Sequence, residues 1–277
     1  MQKYADYIKR IEIEALWGGK KHIVWELDPR VNILSGINGV GKSTILNKVV
    51  KGLSAGGEFP SHTLKGVHIE VVPEDAKWIR YDMIRSLDSA LDTVVTLQRP
   101  EVLTSAHTNY KGSLSMLDIQ LYNLQRKYLD YQVNIGNRII EQLQQGSAEK
   151  AQQLSMKKKQ FQDIIDELFA DTGKTIIRTE NEIRFMQMGE MIMPYQLSSG
   201  EKQMLAILLT VLVEDNQPCT LFMDEPEVSL HIEWQKRLIE LILEMNDNVQ
   251  IILTTHSPAL IMNGWTDKVT EVSEITV

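Results

Sequence analysis

Apolar and polar positions along this chain change their period twice, and each change marks a different kind of structure. In the first third, apolar runs are short and bounded by turn residues. Ile8 to Leu16 and His22 to Leu27 read as paired strands, with Gly18-Gly19 in the turn between them. Val31 to Ser35 is a short apolar strand that runs into a glycine-rich loop, and a helix follows from Ser43 to about Leu53. Ser54 to Gly66, with Gly56-Gly57 and Pro60, reads as loop. Val67 to Val72 and Trp78 to Ile84 read as strands, and Ser86 to Thr108 matches no template.

From Leu114 the spacing turns to alternating threes and fours: Leu114, Leu117, Leu121, Leu124, Tyr128, Tyr131 and Ile135. Gly146-Ser147 breaks the run, and Ala151, Leu154, Lys158, Phe161, Ile165 and Leu168 resume it. Two heptad helices around a glycine break predict an antiparallel coiled-coil hairpin, its longer arm roughly 45 Å long at the helical rise. A pair of ordinary amphipathic helices packed on the body is the alternative. Lys158 on the seam predicts a local imperfection that snorkels.

After the hairpin the strand-and-helix alternation returns. Thr175 to Thr179 and Ile183 to Met188 predict a β-hairpin turning at Glu180-Asn181. Met204 to Val213 is apolar all round, which predicts a buried helix. Leu221 to Met223 and Val249 to Leu253 read as buried strands. Trp234, Leu238, Leu241, Ile242 and Met245 mark one face of a helix between them, and another helix starts at Ser257. Strands alternating with helices predict an α/β fold with a mainly parallel sheet covered on both faces, after an N-terminal antiparallel β portion. The organisation expected is residues 1–113 and 171–277 as two halves of one head, with residues 114–170 inserted as the helical hairpin.

Composition narrows the function classes. A chain of 277 residues with 43% hydrophobic content can bury a large core. A formal charge of −8 argues against a surface that grips nucleic acid everywhere. The hairpin is neutral: seven basic residues (Arg126, Lys127, Arg138, Lys150, Lys157, Lys158, Lys159) face seven acidic ones (Asp118, Asp130, Glu141, Glu149, Asp163, Asp166, Glu167). The single cysteine, Cys219, opens an apolar strand and reads as a buried small hydrophobe. No apolar run approaches the ~18 residues of a membrane span, and the N-terminus has no signal-peptide core, so a cytoplasmic protein without a membrane partner is expected.

Against this background stand five pieces of one nucleotide site. Gly36-Ile37-Asn38-Gly39-Val40-Gly41-Lys42-Ser43 lies between a predicted strand and a predicted helix. Glycines let the backbone wrap phosphate oxygens and aim successive amides inward. Lys42 reaches the β- and γ-phosphates, and the Ser43 hydroxyl is offered to Mg²⁺. Asp224 ends a buried strand, where a carboxylate faces the crevice in which such sheets bind ligands, and is placed to hold the Mg²⁺ shell. Glu225, the next residue, points another way and is placed to polarise the attacking water. His256 ends the next strand and is placed to donate to the γ-phosphate. Ser199 and Gly200 open the buried helix with free amides, a second anion-binding start that makes sense if it caps the γ-phosphate of another subunit.

These motifs resemble the ATP-binding-cassette superfamily: Walker A at Gly36 to Ser43, signature at Leu197 to Glu201, Walker B at Leu221 to Asp224 with Glu225, D-loop at Val228 to His231 and switch histidine at His256. Within it the chain is similar to the non-transporter branch of SMC, RecF and OLD-type ATPase domains. The run Asp224-Glu225-Pro226-Glu227-Val228-Ser229-Leu230-His231 with Trp234-Gln235, and Thr255-His256-Ser257-Pro258, carry that likeness. The resemblance implies a P-loop ABC-type ATPase head and a head-to-tail homodimer around two ATP molecules. Gly36, Asn38, Gly39, Val40, Gly41, Lys42, Ser43 and Thr44 of one subunit would meet Ser199, Gly200 and Glu201 of the other. It also implies a Q-loop glutamine as a third metal contact, for which Gln98 is the candidate, and an aromatic for the base, for which Trp17 or Trp25 stand, packing being the competing role for both.

Three functional readings follow. The first is an ATP-switched component of a bacterial DNA-handling or anti-phage defence complex, with a separate effector such as a nuclease or toxin. The second is a stand-alone repair ATPase that clamps DNA directly. The third is the ATPase subunit of a transporter, against which the signature and D-loop variants argue.

Overall fold

A computed structural model describes residues 3–54, 66–85 and 115–277. Gln98 and the stretch Ser86 to Thr108 lie outside them.

Strands β1 (Tyr7–Leu16) and β2 (Lys21–Glu26) pair antiparallel, and β4 (Val67–Val72) pairs with the other edge of β1. Strand β3 (Val31–Ser35) instead joins a five-stranded sheet with β5 (Tyr81–Arg85), β9 (Cys219–Asp224), β10 (Val249–Thr254) and β11 (Val269–Glu271). Its order is β11-β3-β10-β9-β5 and every pairing is parallel. The three central strands are buried along almost their whole length, as a sheet covered on both faces requires.

Their side chains divide by the two-residue period between two cores. Val31, Ile33, Leu221, Met223, Ile251 and Leu253 face a core with the helices α4 (Ser199–Val213) and α5 (Ile232–Met245). Leu34, Phe222 and Ile252 face a second core with the antiparallel sheet and α1 (Lys42–Ser54). On that second side Gln250, fully buried, accepts from the Ile8 N–H and donates to the Ile8 carbonyl, both at 2.8 Å, which welds the antiparallel sheet onto the parallel one. A buried amide so satisfied costs little and fixes register.

The heptad region forms α2 (Met116–Gln144) and α3 (Ala148–Leu168), joined by a turn in which Gly146 takes φ +75°. Ser115 and Asp118 close a capping box at the start of α2. Leu117, Leu121, Leu124, Tyr128, Tyr131 and Ile135 share one core with Phe161, Ile165, Leu168 and the whole apolar flank of α4. The first half of the hairpin therefore lies on the body, and apolar exposure rises only towards the turn, where Ile140 and Leu143 are more than half exposed. Lys158 lies half-buried over Tyr128 and donates to Gln132 Oε1.

A small antiparallel sheet of β6 (Lys174–Ile176), β7 (Phe185–Gln187) and β8 (Glu190–Ile192) follows α3. The expected hairpin is there but shorter, and β8 and β11 were not anticipated: three-residue strands are too short to show a period. The helix expected from Ser257 is the single turn α6 (Pro258–Ile261). Cys219 is buried, and burial pushes its thiol up to about 12, so it is an inert core residue. Among the described residues, no helix is long and apolar enough to cross a membrane.

Candidate functional site

Strand order decides the geometry of the site. The phosphate-loop strand β3 and the acidic strand β9 are not neighbours, because β10 lies between them. Thr254 pairs with Leu34 on one side and with Asp224 on the other. The C-terminal ends of three adjacent strands are therefore brought together: Gly36 to Ser43 after β3, Thr255-His256 after β10, and Asp224 as the last residue of β9 with Glu225 after it. This is the position at which open parallel sheets bind ligands.

Gly36, Gly39 and Gly41 take φ of +150°, +78° and +104°. Only glycine adopts such angles cheaply, so the loop can curl with its amides inward. At Gly41 there is a second reason: a Cβ there would fall 2.0 Å from the ring of Trp17, which leans on the loop from the turn after β1. Lys21 in turn stands over that indole at 5.3 Å. Trp25, by contrast, is 1% exposed and belongs to the core. Asn38 and Gly39 are exposed at the crown of the loop, Val40 is half-buried, and Thr44 is exposed on the first turn of α1.

Lys42 is 4% exposed. Its ammonium donates to the Gly36 carbonyl at 3.1 Å and lies 2.5 Å from His256 Nε2. Burial lowers its pKa, while Glu225, Asp224 and Glu227 pull the other way. Ser43 Oγ donates to Asp224 Oδ1 at 2.8 Å, and Thr254 Oγ1 donates to the same oxygen at 2.6 Å. Glu225 sits at φ +48°, with its N–H held by the carbonyl and hydroxyl oxygens of Thr254. That turn swings its carboxylate away from Asp224 and towards His256, whose Nε2 lies 3.4 Å from Glu225 Oε1. Strain stored at such a residue is common where a side chain must be aimed.

The donor set fits a small hard cation. Ser43 and Asp224 supply two oxygens on one spot, which is what Mg²⁺ takes from protein when water and phosphate complete its octahedron. Among the described residues no cluster of three or more His, Cys, Asp or Glu offers an all-protein cage.

The signature region lies apart from this cluster in sequence and is built differently. Ser198 caps α4 and closes a capping box with Glu201. Ser199 is exposed at the helix start, and Gly200 is pressed against the D-loop: a Cβ there would come 2.4 Å from the Ser229 carbonyl oxygen. Ser229 itself takes φ +78°. Glu201, expected among the nucleotide contacts of a second copy, has its side chain turned into its own chain. It is 2% exposed and accepts from Lys174 Nζ, Thr172 Oγ1 and Ser198 N–H, each at 2.8 Å, so its oxygens are occupied within its own chain. Burial pulls its pKa up, but those hydrogen bonds overcome it and leave it below the ordinary glutamate value. Lys202 pairs in the same way with the buried Asp118 at 2.7 Å. His231 caps α5 through Nδ1.

Three residues of this neighbourhood were given no task from sequence. Thr254 ties Asp224 to Glu225, Glu227 ties the acidic loop to Thr255 and His256, and Gln235 binds the Leu230 carbonyl and the Ser257 hydroxyl. A threonine at a strand tip beside an acidic pair was the available signal for the first. Glu227 and Gln235 stood in the run that carries the family likeness, but nothing local named their partners, because solvated loop and helix positions carry the same residue types.

Residues 115–263 match the family described as AAA domain, putative AbiEii toxin, Type IV TA system. The Retron Vc95 probable ATPase of Vibrio cholerae serotype O1 biovar El Tor is 24% identical over 163 residues, which is 53% of this chain and 32% of that protein. The Lipoprotein-releasing system ATP-binding protein LolD of Aquifex aeolicus (strain VF5) is 37% identical over 68 residues, 24% of this chain and 29% of that one. The chain thus matches about a third of the length of these curated relatives. Among solved structures, an SmcHead bound to the C-winged helix domain of ScpA superposes with a TM-score of 0.50 at 16% identity, covering 93% of this chain and 91% of that one. That likeness is one of fold.

Proposed function

The chain belongs to the family described as AAA domain, putative AbiEii toxin, Type IV TA system, a non-transporter ATPase of the SMC and RecF type, and we propose that it is an ATP-driven switch that closes into a homodimer around two nucleotides and thereby controls a partner effector. The observation that carries the chemistry is the convergence of Lys42, Ser43, Asp224, Glu225 and His256 at the tips of β3, β10 and β9.

Each residue has a task that its position supports. The loop amides and Lys42 bind the β- and γ-phosphates of ATP, and phosphate oxygens give Lys42 an acceptor in place of the Gly36 carbonyl and His256. Ser43 and Asp224 would hold Mg²⁺, which neutralises phosphate charge when bound. Glu225 takes a proton from water as its oxygen bonds to the γ-phosphorus and the bond to the β-phosphate oxygen breaks, yielding ADP and phosphate. His256, between Lys42 and Glu225, donates to the γ-phosphate. Ser199 and the amides around Gly200, exposed at a helix start, would cap the γ-phosphate of a second copy. Because that phosphate touches both copies, it stabilises only the closed state, and hydrolysis releases it.

The partner is inferred from less. Similarity to a retron probable ATPase favours an anti-phage defence complex in which a nuclease or toxin is a separate chain. The competing reading is a direct DNA clamp. The test is a pull-down of tagged Glu225→Gln protein from its native cell with ATP and Mg²⁺. Recovery of a soluble effector supports the switch. Recovery of DNA without protein, with binding that weakens steeply with salt, moves the reading to the clamp. A membrane permease would overturn both.

A further inference from the structure

Glu227 does not reach the reacting atoms, yet it is bonded to the residue that does. Its Oε1 accepts from Thr255 Oγ1 at 2.6 Å and from the backbone N–H of His256 at 2.9 Å. Thr255 is fully buried, and its hydroxyl oxygen accepts from the Ser257 N–H at 2.9 Å, so Thr255 and His256 directly, and Ser257 through Thr255, are tied to one carboxylate oxygen. The other oxygen, Oε2, is buried without a hydrogen-bond partner among the described residues. A carboxylate with one oxygen buried and unpaired is a poor choice for stability alone. What it secures is the placement of the imidazole, with Nε2 between Lys42 Nζ at 2.5 Å and Glu225 Oε1 at 3.4 Å.

We infer that Glu227 is a positioning residue for hydrolysis, acting through His256: it fixes the backbone from which the imidazole is aimed at the γ-phosphate and at Glu225. The inference rests on the ATPase reading of the site. Gln235 reinforces the same link from the next helix, since it bridges Leu230 and Ser257. Glu227 differs from it in holding the histidine itself.

The role separates from mere stability because the acceptor matters and the charge does not. Glutamine keeps Oε1 for both donors, whereas alanine removes it. Expected for Glu227→Ala is a kcat for ATP lower by at least about tenfold with the KM within about twofold, and for Glu227→Gln a kcat within about threefold of the parent. In a His256→Ala background, Glu227→Ala should change kcat by less than about twofold, because residues acting as a unit are not additive. Overturning results are an undiminished effect in that background, a glutamine variant as slow as the alanine one, or loss of nucleotide binding. A readout independent of turnover is hydrogen exchange of the His256 amide in the nucleotide-free protein, which should quicken in Glu227→Ala and not in Glu227→Gln. Unchanged exchange overturns the inference even if the ATPase reading itself fails. A parent protein without any ATP turnover, but with that exchange difference, indicts the reading and leaves the tether standing.

Discussion

At the scale of single residues, the site is a set of positions where backbone and neighbour leave one option. Gly41 combines φ +104° with an indole where its Cβ would be. Gly41→Ala is expected to destabilise the protein by about 1–3 kcal/mol and to abolish nucleotide binding, read by thermal melting and by titration with a fluorescent ATP analogue. Because Trp17 rests on the same loop, its emission should change when nucleotide enters, and a Trp17→Phe protein should lose that signal. Glu201 makes a pH-dependent prediction. Its folded pKa lies below the usual 4.5, so its contribution to stability is present above that value and disappears as pH falls through the folded pKa. The stability gap between the parent and Glu201→Gln, measured by denaturant melts, should be widest near neutral pH and close in acid. Removal of the carboxylate in Glu201→Ala strands the buried Lys174 and is expected to cost about 3–5 kcal/mol.

At the scale of elements, α4 is the joint of the molecule. Its first turn carries Glu201 and Lys202, consecutive residues whose ion pairs go to opposite ends of the helical insertion: Lys174 just after α3, and Asp118 in the first turn of α2. Its Gly200 touches the carbonyl of Ser229 in the loop that leads from Glu225 to α5. The hairpin, the signature turn and the acidic loop thus meet on one helix start. Gly200→Ala must push the Ser229 backbone away, and we expect a loss of about 1–3 kcal/mol in stability together with slower ATP turnover. The helices of the hairpin were legible to within a few residues, because a heptad sustained over several turns and a glycine break are strong local signals. How the hairpin lies was not legible. A heptad seam buries equally well against its partner helix or against the body, and Tyr128, Tyr131 and Phe161 do both.

At the scale of the whole molecule, the proposed working unit is a pair of copies. Ser199 is exposed at a helix start, away in sequence from the phosphate loop, so Ser199→Arg should prevent ATP-dependent dimerisation while leaving the nucleotide affinity of the monomer unchanged. Light scattering with Mg-ATP and Glu225→Gln as parent reads the first, and nucleotide titration the second. Loss of monomer affinity in that variant would contradict a shared site. Lys42→Ala should lose nucleotide binding altogether, since it removes the ammonium that reaches the carbonyls of Gly36 and Ile37 in the phosphate loop.

The sequence by itself pointed to the proposed chemistry, in the loop offered to phosphate, and determined which strands are buried and, to within a few residues, where the two hairpin helices start and stop. Those depend on local backbone freedom and on short-range periodicity, which are written in neighbouring residues. Tertiary structure alone decided that β10 lies between β3 and β9, and so that His256 stands between Lys42 and Glu225. It decided too that Glu201 serves its own chain and that Glu227 holds the histidine. Strand order and buried pairs join residues tens to hundreds of positions apart, and no local pattern records which distant partner will satisfy a buried charge.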